Sequence, residues 1–290
     1  MKVLAIESSC DDTSIAIVND DKTVEFLETI NHRKFHKDLG GVIPEMAARQ
    51  HLEILDILGK SIKKINFSKI SAIAATFGPG LIGGLIVGSS FAKGLSISKN
   101  IKLVPINHLQ AHLLSPRLVS EIKFPYLCLL VSGGNTALVL VKNSKSFITL
   151  GSTIDDSAGE CFDKVAKGLG LGYPGGPEIE HLALGGNIEK FKLPMPLTKK
   201  NNCDFSFSGL KTAALNTIKN NKKTRLFLRD FSASFQHTVS KVLEIKILNS
   251  IKLLQKENIK INDFSICGGV AANKYLNTEL QKLVSTKKLN

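Results

Sequence analysis

The sequence predicts an α/β protein made of two duplicated lobes, and three observations carry that expectation. The first is an internal echo. "MKVLAIESSCDDTSIAIV" is an apolar run, a small polar turn and a second apolar run, and "FPYLCLLVSGGNTALVLV", from Phe124, repeats the plan as a second β-hairpin. The second is the continuation of each hairpin into a further strand and then a helical segment, Pro44 to Ile65 in one case and Ser157 to Gly170 in the other. The third is a glycine turn, "CGGVAAN" (Cys267 to Asn273), after the strand-like "INDFSI" and before a helix expected from Ala271. Lobes over residues 1–107 and 108–290 are the expected division.

In chain order, Pro44 opens the first helix, where its missing N–H costs nothing, and Ile54, Leu55, Leu58, Ile62 and Ile65 recur at helical spacing as core. Ile70 to Ala92 is uncharged and long enough to cross a bilayer, but Gly78-Pro79-Gly80 divides it into a strand, "ISAIAATF", and a glycine-rich buried helix, "LIGGLIVGSSFAKGL". No membrane span is expected. "KLVPI" reads as a strand running directly into "NHLQAHLLSP".

Composition sets the outer limits. The 290 residues, 43% hydrophobic and 22% charged, suffice for two globular domains. The cysteines Cys10, Cys128, Cys161, Cys203 and Cys267 are scattered and never in a C-x-x-C pair, which reads as a reduced thiol set, and "MKVLAIES" resembles no targeting segment. A cytoplasmic location is therefore expected. Net charge is +13, which suits an anionic partner, nucleic acid above all, although Arg33, Arg49, Arg117, Arg225 and Arg229 are the only arginines. The lysine run "KNNKK" (Lys219 to Lys223) reads equally as an RNA contact or as a solvated face.

Glycines in the turns let the main chain approach a phosphate, and successive N–H groups form an anion-binding nest. Three such turns at strand ends in a duplicated frame point to a nucleotide between two lobes, as in the actin-like fold shared by sugar kinases and heat-shock ATPases. No G-x-x-x-x-G-K-[ST] or G-x-G-x-x-G occurs, so neither a P-loop nor a Rossmann site is expected.

His108 and His112, four residues apart, fall on one helical face just past a strand's C-terminal end, where α/β proteins place their sites. Leu109 and Gln110 stand where a zinc protease of the H-E-x-x-H type carries its glutamate, so a metal that orients a ligand is expected instead. Asp11 and Asp12, in the first turn, are candidates for positioning or deprotonating an incoming amine, or for capping the turn.

Eight segments in order, "IESSCDDTSIAI", "GGVIPEMAARQHLE", "TFGPGLIGGLIVG", "NHLQAHLLSP", "LLVSGGNTALV", "IDDSAGECFDKVAKGLGLGYPGGP", "DFSFSGLKTA" and "CGGVAAN", resemble the motif series of the TsaD family of tRNA threonylcarbamoyladenosine transferases. The resemblance implies transfer of a threonylcarbamoyl group from threonylcarbamoyl-AMP to N6 of adenine 37 in tRNAs reading ANN codons. It implies His108 and His112 as ligands of one Fe or Zn ion, and Leu130, Val131, Ser132, Gly133 and Gly134 along the substrate. Asp163, Gly176 and Asn273 would lie at its adenosine, and Glu180 at the ribose. It also implies two partners, a paralogous actin-like subunit docking on the N-terminal lobe and a small P-loop ATPase.

The sequence departs from the pattern at three places: Asn135 stands where the family shows a histidine, Asn277 where it shows an arginine, and the sequence stops at Asn290 before a "TDNAAM"-type motif whose aspartate would be a third metal ligand. It reads as a C-terminally truncated member, so a scaffold binding the paralogue without activity is one rival expectation. An actin-fold phosphotransferase is the other.

Overall fold

The computed structural model describes residues 1–31, 42–62, 65–287 and 289. These form two compact units, Met1–Ala111 and His112–Asn290. Arg33 and the Gly40-Gly41 start of the second motif lie outside the described residues.

Unit 1 holds a sheet of order β3-β2-β1-β4-β5, with β1 Lys2–Glu7, β2 Asp12–Asn19, β3 Val24–Asn31, β4 Ala72–Gly78 and β5 Lys102–Asn107. β1, β2 and β3 form an antiparallel meander, with Ile6 opposite Ile15, while β4 and β5 extend the sheet in parallel from β1. The inner strands supply the core: Leu4, Ile6, Ile15, Ile17 and Ile73 of β1, β2 and β4 pack against Ile54, Leu55, Leu58 and Ile62 of α1, Pro44–Ile62. The helix expected to reach Ile65 ends at Ile62, and the Ile65 N–H bonds the Ile62 carbonyl at 2.9 Å. A 3₁₀ turn, Phe67–Lys69, leads to β4, and α2, Ile82–Lys99, leads to β5 after an Asn100 cap in the left-handed region. β5 runs without a linker into α3, His108–Leu114, so the division between the units falls inside that helix rather than ahead of it. Among the described residues no helix is long and apolar enough to cross a membrane.

Unit 2 begins with the rest of α3 and the short α4, Pro116–Val119. Its sheet has the order β8-β7-β6-β9: β6 Tyr126–Val131, β7 Thr136–Asn143, β8 Ser146–Ser152 and β9 Phe264–Cys267. Every residue of β6 is buried, as befits a central strand, and it pairs antiparallel with β7 and parallel with β9. The helices are α5 Ala158–Leu169, α6 Gly175–Leu182, α7 Ser208–Lys219, α8 Arg225–Lys256 and α9 Lys274–Thr286. Thr224 caps α8, along which Phe227, Phe231 and Phe235 stack at 5.4 and 6.5 Å. Each such phenylalanine, buried, contributes roughly 1.5–3 kcal/mol to this core.

The helix expected from Ala271 starts later. Gly269–Ala272 is a 3₁₀ turn, and Asn273, extended at φ −66° and ψ 114°, breaks it and caps α9 by accepting from the Leu276 N–H at 2.9 Å. All five cysteines are free thiols, four of them buried.

Candidate functional site

In unit 1, β1, β4 and β5 end side by side because they are parallel neighbours, and their C-terminal ends carry Glu7, Thr76 and, one residue past β5, His108. Glu7 accepts from the Ser9 N–H at 2.7 Å and from the Thr76 hydroxyl. His108 Nδ1 lies 3.0 Å from Ser9 Oγ and 3.4 Å from the Glu7 carboxylate. Burial alone would push the Glu7 carboxyl up, but hydrogen bonds involving His108, Ser9 and Thr76 outweigh it and hold the group at about 2. Glu7 is thus an ionised carboxylate against one imidazole nitrogen.

The turn itself is locked from below. His51, fully buried, has Nε2 3.1 Å from the Cys10 carbonyl and Nδ1 2.8 Å from the Thr13 hydroxyl. A carbonyl only accepts, so Nε2 carries a proton towards Cys10, while Nδ1 pairs with the Thr13 hydroxyl. Ser8 donates to the Gly84 carbonyl at 2.9 Å. Cys10 keeps an exposed edge, but the packing around its sulfur and the neighbouring Asp11 and Asp12 push the thiol up to about 12. Asp11 and Asp12 close this turn, Asp12 as the first residue of β2.

His108 and His112 both belong to α3, four residues apart. Metal-binding imidazoles are usually oriented through their second nitrogen by a carboxylate, as Glu7 and Ser9 engage His108 here, and imidazole donors suit both Fe and Zn. The pair therefore fits an ion as two of its ligands. Among the described residues no three His, Cys, Asp or Glu side chains gather into a complete set.

In unit 2, parallel β6 and β9 end together, which sets two glycine corners side by side. In the first, the Ser132 N–H bonds the Asn135 carbonyl at 2.8 Å and the Asn135 N–H bonds Ser132 Oγ at 3.0 Å. In the second, Gly268 has φ +96°, and a Cβ there would sit 2.3 Å from the Val131 carbonyl oxygen, so only glycine fits. Leu130 and Val131 are buried strand residues that carry the first corner, so their side chains serve the core.

Asp163, on α5, accepts from the Gly175 N–H at 2.7 Å and so caps α6, next to Gly176. Glu180, on α6, accepts from the Lys274 N–H at 2.7 Å at the start of α9, beside Asn273. Asn273 is buried, and its amide also reaches Gln236 at 3.5 Å. Thus Asp163 and Gly176 come together, as do Glu180 and Asn273, and all four are tied to helix starts.

The glycines sort sharply. A Cβ on Gly159 would lie 2.4 Å from the Ser132 carbonyl oxygen, and on Gly175 2.4 Å from Ala166 Cβ. A Cβ on Gly133, Gly134, Gly176 or Gly269 would meet nothing within 4 Å, and none of these four has a left-handed φ. The fold does not require glycine at those four positions.

Sequence reasoning missed Glu7, Ser9, His51 and Ser157. Ser157 had a signal, the S-x-x-E capping box "SAGE", and its hydroxyl accepts from the Glu160 N–H at 3.1 Å.

Two α/β units, each built on a mixed sheet that starts from a β-hairpin, define the class as the actin-like fold of sugar kinases and related ATPases. Solved structures agree on the fold. A ROK family protein from Streptococcus pneumoniae in complex with sucrose matches 99% of this chain and 87% of its own with TM-score 0.55, and full-length HypF in its phosphate- and nucleotide-bound form matches 100% and 43% with TM-score 0.61, each at 14% identity. The TsaD family, described as tRNA N6-adenosine threonylcarbamoyltransferase, matches residues 24–289. Curated proteins of that name share 49% identity in Wolbachia pipientis wMel, over 98% of this chain and 85% of theirs, and 47% in Orientia tsutsugamushi strain Ikeda, over 99% and 86%. The chain belongs to the TsaD family.

Proposed function

We propose that this chain is a tRNA N6-adenosine threonylcarbamoyltransferase that moves the threonylcarbamoyl group of threonylcarbamoyl-AMP to N6 of adenine 37 in tRNAs reading ANN codons. The observation that carries the reading is the set of four glycines, Gly133, Gly134, Gly176 and Gly269, left open without any demand from the fold. A ligand that approaches the main chain closely explains them.

In this reading N6 attacks the carbamoyl carbon, the bond from that carbon to the phosphate oxygen breaks, AMP leaves with the electron pair, and N6 gives up a proton. Amides of the Ser132–Asn135 corner take the phosphate charge as it develops. Asp163, Gly176, Glu180 and Asn273 border the adenosine. Asp11 and Asp12 are the bases that receive the proton. Fe or Zn held by His108 and His112 would orient and polarise the carbamoyl oxygen, with Glu7 and Ser9 fixing the His108 ring. The partners in this reading are tRNA, a paralogous actin-like subunit and a small P-loop ATPase, and the setting is the cytoplasm.

The test is transfer of labelled threonylcarbamoyl from threonylcarbamoyl-AMP to a tRNA bearing adenine 37, in the presence of the partner subunits. Transfer that falls at least tenfold in His108→Ala supports the reading. A chain that transfers nothing, or that phosphorylates a sugar with magnesium and ATP regardless of His108, overturns it.

A further inference from the structure

Two consecutive peptide planes of the Ser132–Asn135 corner are held from behind by the first turn of α5. Ser157 Oγ, buried, donates to the Gly133 carbonyl at 2.5 Å while accepting from the Glu160 N–H, so its proton is committed to Gly133. One residue on, the Ala158 N–H bonds Thr136 Oγ1 at 2.9 Å, which ties the same turn to β7. Gly159 comes so close that an added Cβ would lie 2.4 Å from the Ser132 oxygen and 2.7 Å from the Ser132 carbonyl carbon. The oxygen is the nearer atom, so that carbonyl also faces α5.

Neither peptide is cis. In a trans peptide the C=O and the following N–H point in opposite directions. The N–H groups of Gly133 and Gly134 therefore face away from α5, on the exposed side of the corner. Among the described residues no hydrogen bond occupies either of them. The segment ahead of Ser157 is pinned as well: Asp155 accepts from the Phe207 N–H at 2.8 Å and from the Ser206 and Ser208 hydroxyls at 2.5 and 2.8 Å, and Asp156 pairs with Lys211 at 2.5 Å.

We propose that Ser157 is a positioning residue: by holding the Gly133 carbonyl inward it aims the Gly133 and Gly134 amides at the phosphate of an adenylate, and so sets a preference for the phosphorylated nucleotide over the bare nucleoside. This rests on the reading above that the corner meets a nucleotide. Removing the hydroxyl frees the peptide planes to rotate, which weakens the phosphate contact and leaves the nucleoside contacts of Asp163 and Gly176 alone.

Calorimetric titration of the full chain with AMP and with adenosine tests it. Ser157→Ala is expected to bind AMP about tenfold more weakly, the scale of a lost hydrogen bond to a charged group, with adenosine affinity unchanged. Ser157→Gly, which keeps a good capping residue and so secures folding, is expected to show the same selective loss. Ser157→Thr keeps the hydroxyl and restores the preference. Thr224→Ala, which removes a comparable cap from α8, leaves both affinities as they were. Equal losses for both ligands in Ser157→Ala and Ser157→Gly, or none, overturn the proposal while the nucleotide reading stands. A wild-type chain that binds neither AMP nor adenosine overturns both.

Discussion

Helix α2 of unit 1 and the Ser132–Asn135 corner of unit 2 are both rich in glycine, yet an added methyl would meet opposite fates in them. On α2 a Cβ at Gly83 would lie 2.6 Å from Ala48 Cβ, at Gly84 2.3 Å from the Ser8 carbonyl oxygen, and at Gly88 2.0 Å from Ser8 Oγ. In the corner, Gly133 and Gly134 face open space. Gly83 lets α2 close on α1, and Gly84 and Gly88 let it close on Ser8, between Glu7 and Ser9. Glycine thus serves close packing at these α2 positions, whereas the corner glycines meet no packing demand, and substitution separates the two.

Gly84→Ala is expected to do the most damage. The colliding atom is backbone oxygen, with His51 Nε2 also within 2.8 Å, so neither neighbour can swing away. Overpacking of this kind costs about 3 kcal/mol, against a gain of up to about 1 kcal/mol from alanine's helix propensity. Gly94, exposed on the same helix with nothing within 4 Å, provides the control: Gly94→Ala should stabilise. Denaturant unfolding of both variants checks the pair. If they unfold alike, the contrast between packed and open glycines is lost.

The carboxylates repeat the contrast one step down in size. Glu7 meets an imidazole, whereas Asp163 meets a helix N–H. Glu7→Gln should weaken Fe or Zn retention about 10- to 100-fold, the usual cost of removing a carboxylate behind a ligating histidine, as read by metal analysis after dialysis against a weak chelator. Asp163→Ala should leave metal content alone and cost about 1 kcal/mol of stability through the lost cap. Equal metal content in Glu7→Gln and wild type would reduce Glu7 to a structural acid.

Gly133→Ala comes next. Stability should stay within about 0.5 kcal/mol of wild type, since nothing crowds the new methyl. AMP affinity should fall about tenfold, because a methyl on the open face keeps the phosphate from the amides. A thermal melt and an AMP titration decide it; a destabilised variant with unchanged affinity would reverse the assignment of that corner to ligand.

Local period and turn chemistry are enough to read both hairpins, the further strand after each, α1, α5 and the two-unit α/β plan from the sequence. The parallel pairings β1–β4, β4–β5 and β6–β9 are not legible there, since long-range pairing leaves no local pattern, and it is these pairings that bring Glu7 to His108 and set the two glycine corners together. α9 is expected too early because Ala271 and Ala272 favour helix, while Asn273 uses its side chain as a cap. Of the site residues, the histidines can be named from spacing and Gly133 and Gly134 from turn chemistry, whereas Gly176, Asp163, Glu180 and Asn273 come from the family resemblance. Glu7 cannot be named that way, and for Ser157 the sequence offers only its cap, because the other partners of both depend on what the fold places against them.

The smallest effect concerns Asp155, a motif residue that sorts with the packed glycines. Burial would raise its carboxyl, but the hydroxyls of Ser206 and Ser208 and the N–H groups of Phe207 and Ser208 outweigh that and hold it below the usual carboxylate value. A depressed folded-state value stabilises above the unfolded value, about 3.9 for aspartate, and that stabilisation disappears as pH falls through the lower folded value. Asp155→Asn puts an amide where four donors converge and does not titrate. The stability gap between wild type and Asp155→Asn should therefore hold steady above about pH 5 and narrow below about pH 4. AMP affinity at neutral pH should change less than in Gly133→Ala, because Asp155 steadies the segment behind Ser157 without facing the ligand. A gap that stays constant down to the acid limit would show that the charge at Asp155 does not matter, and would leave the start of α7 held by Ser206 and Ser208 through packing instead.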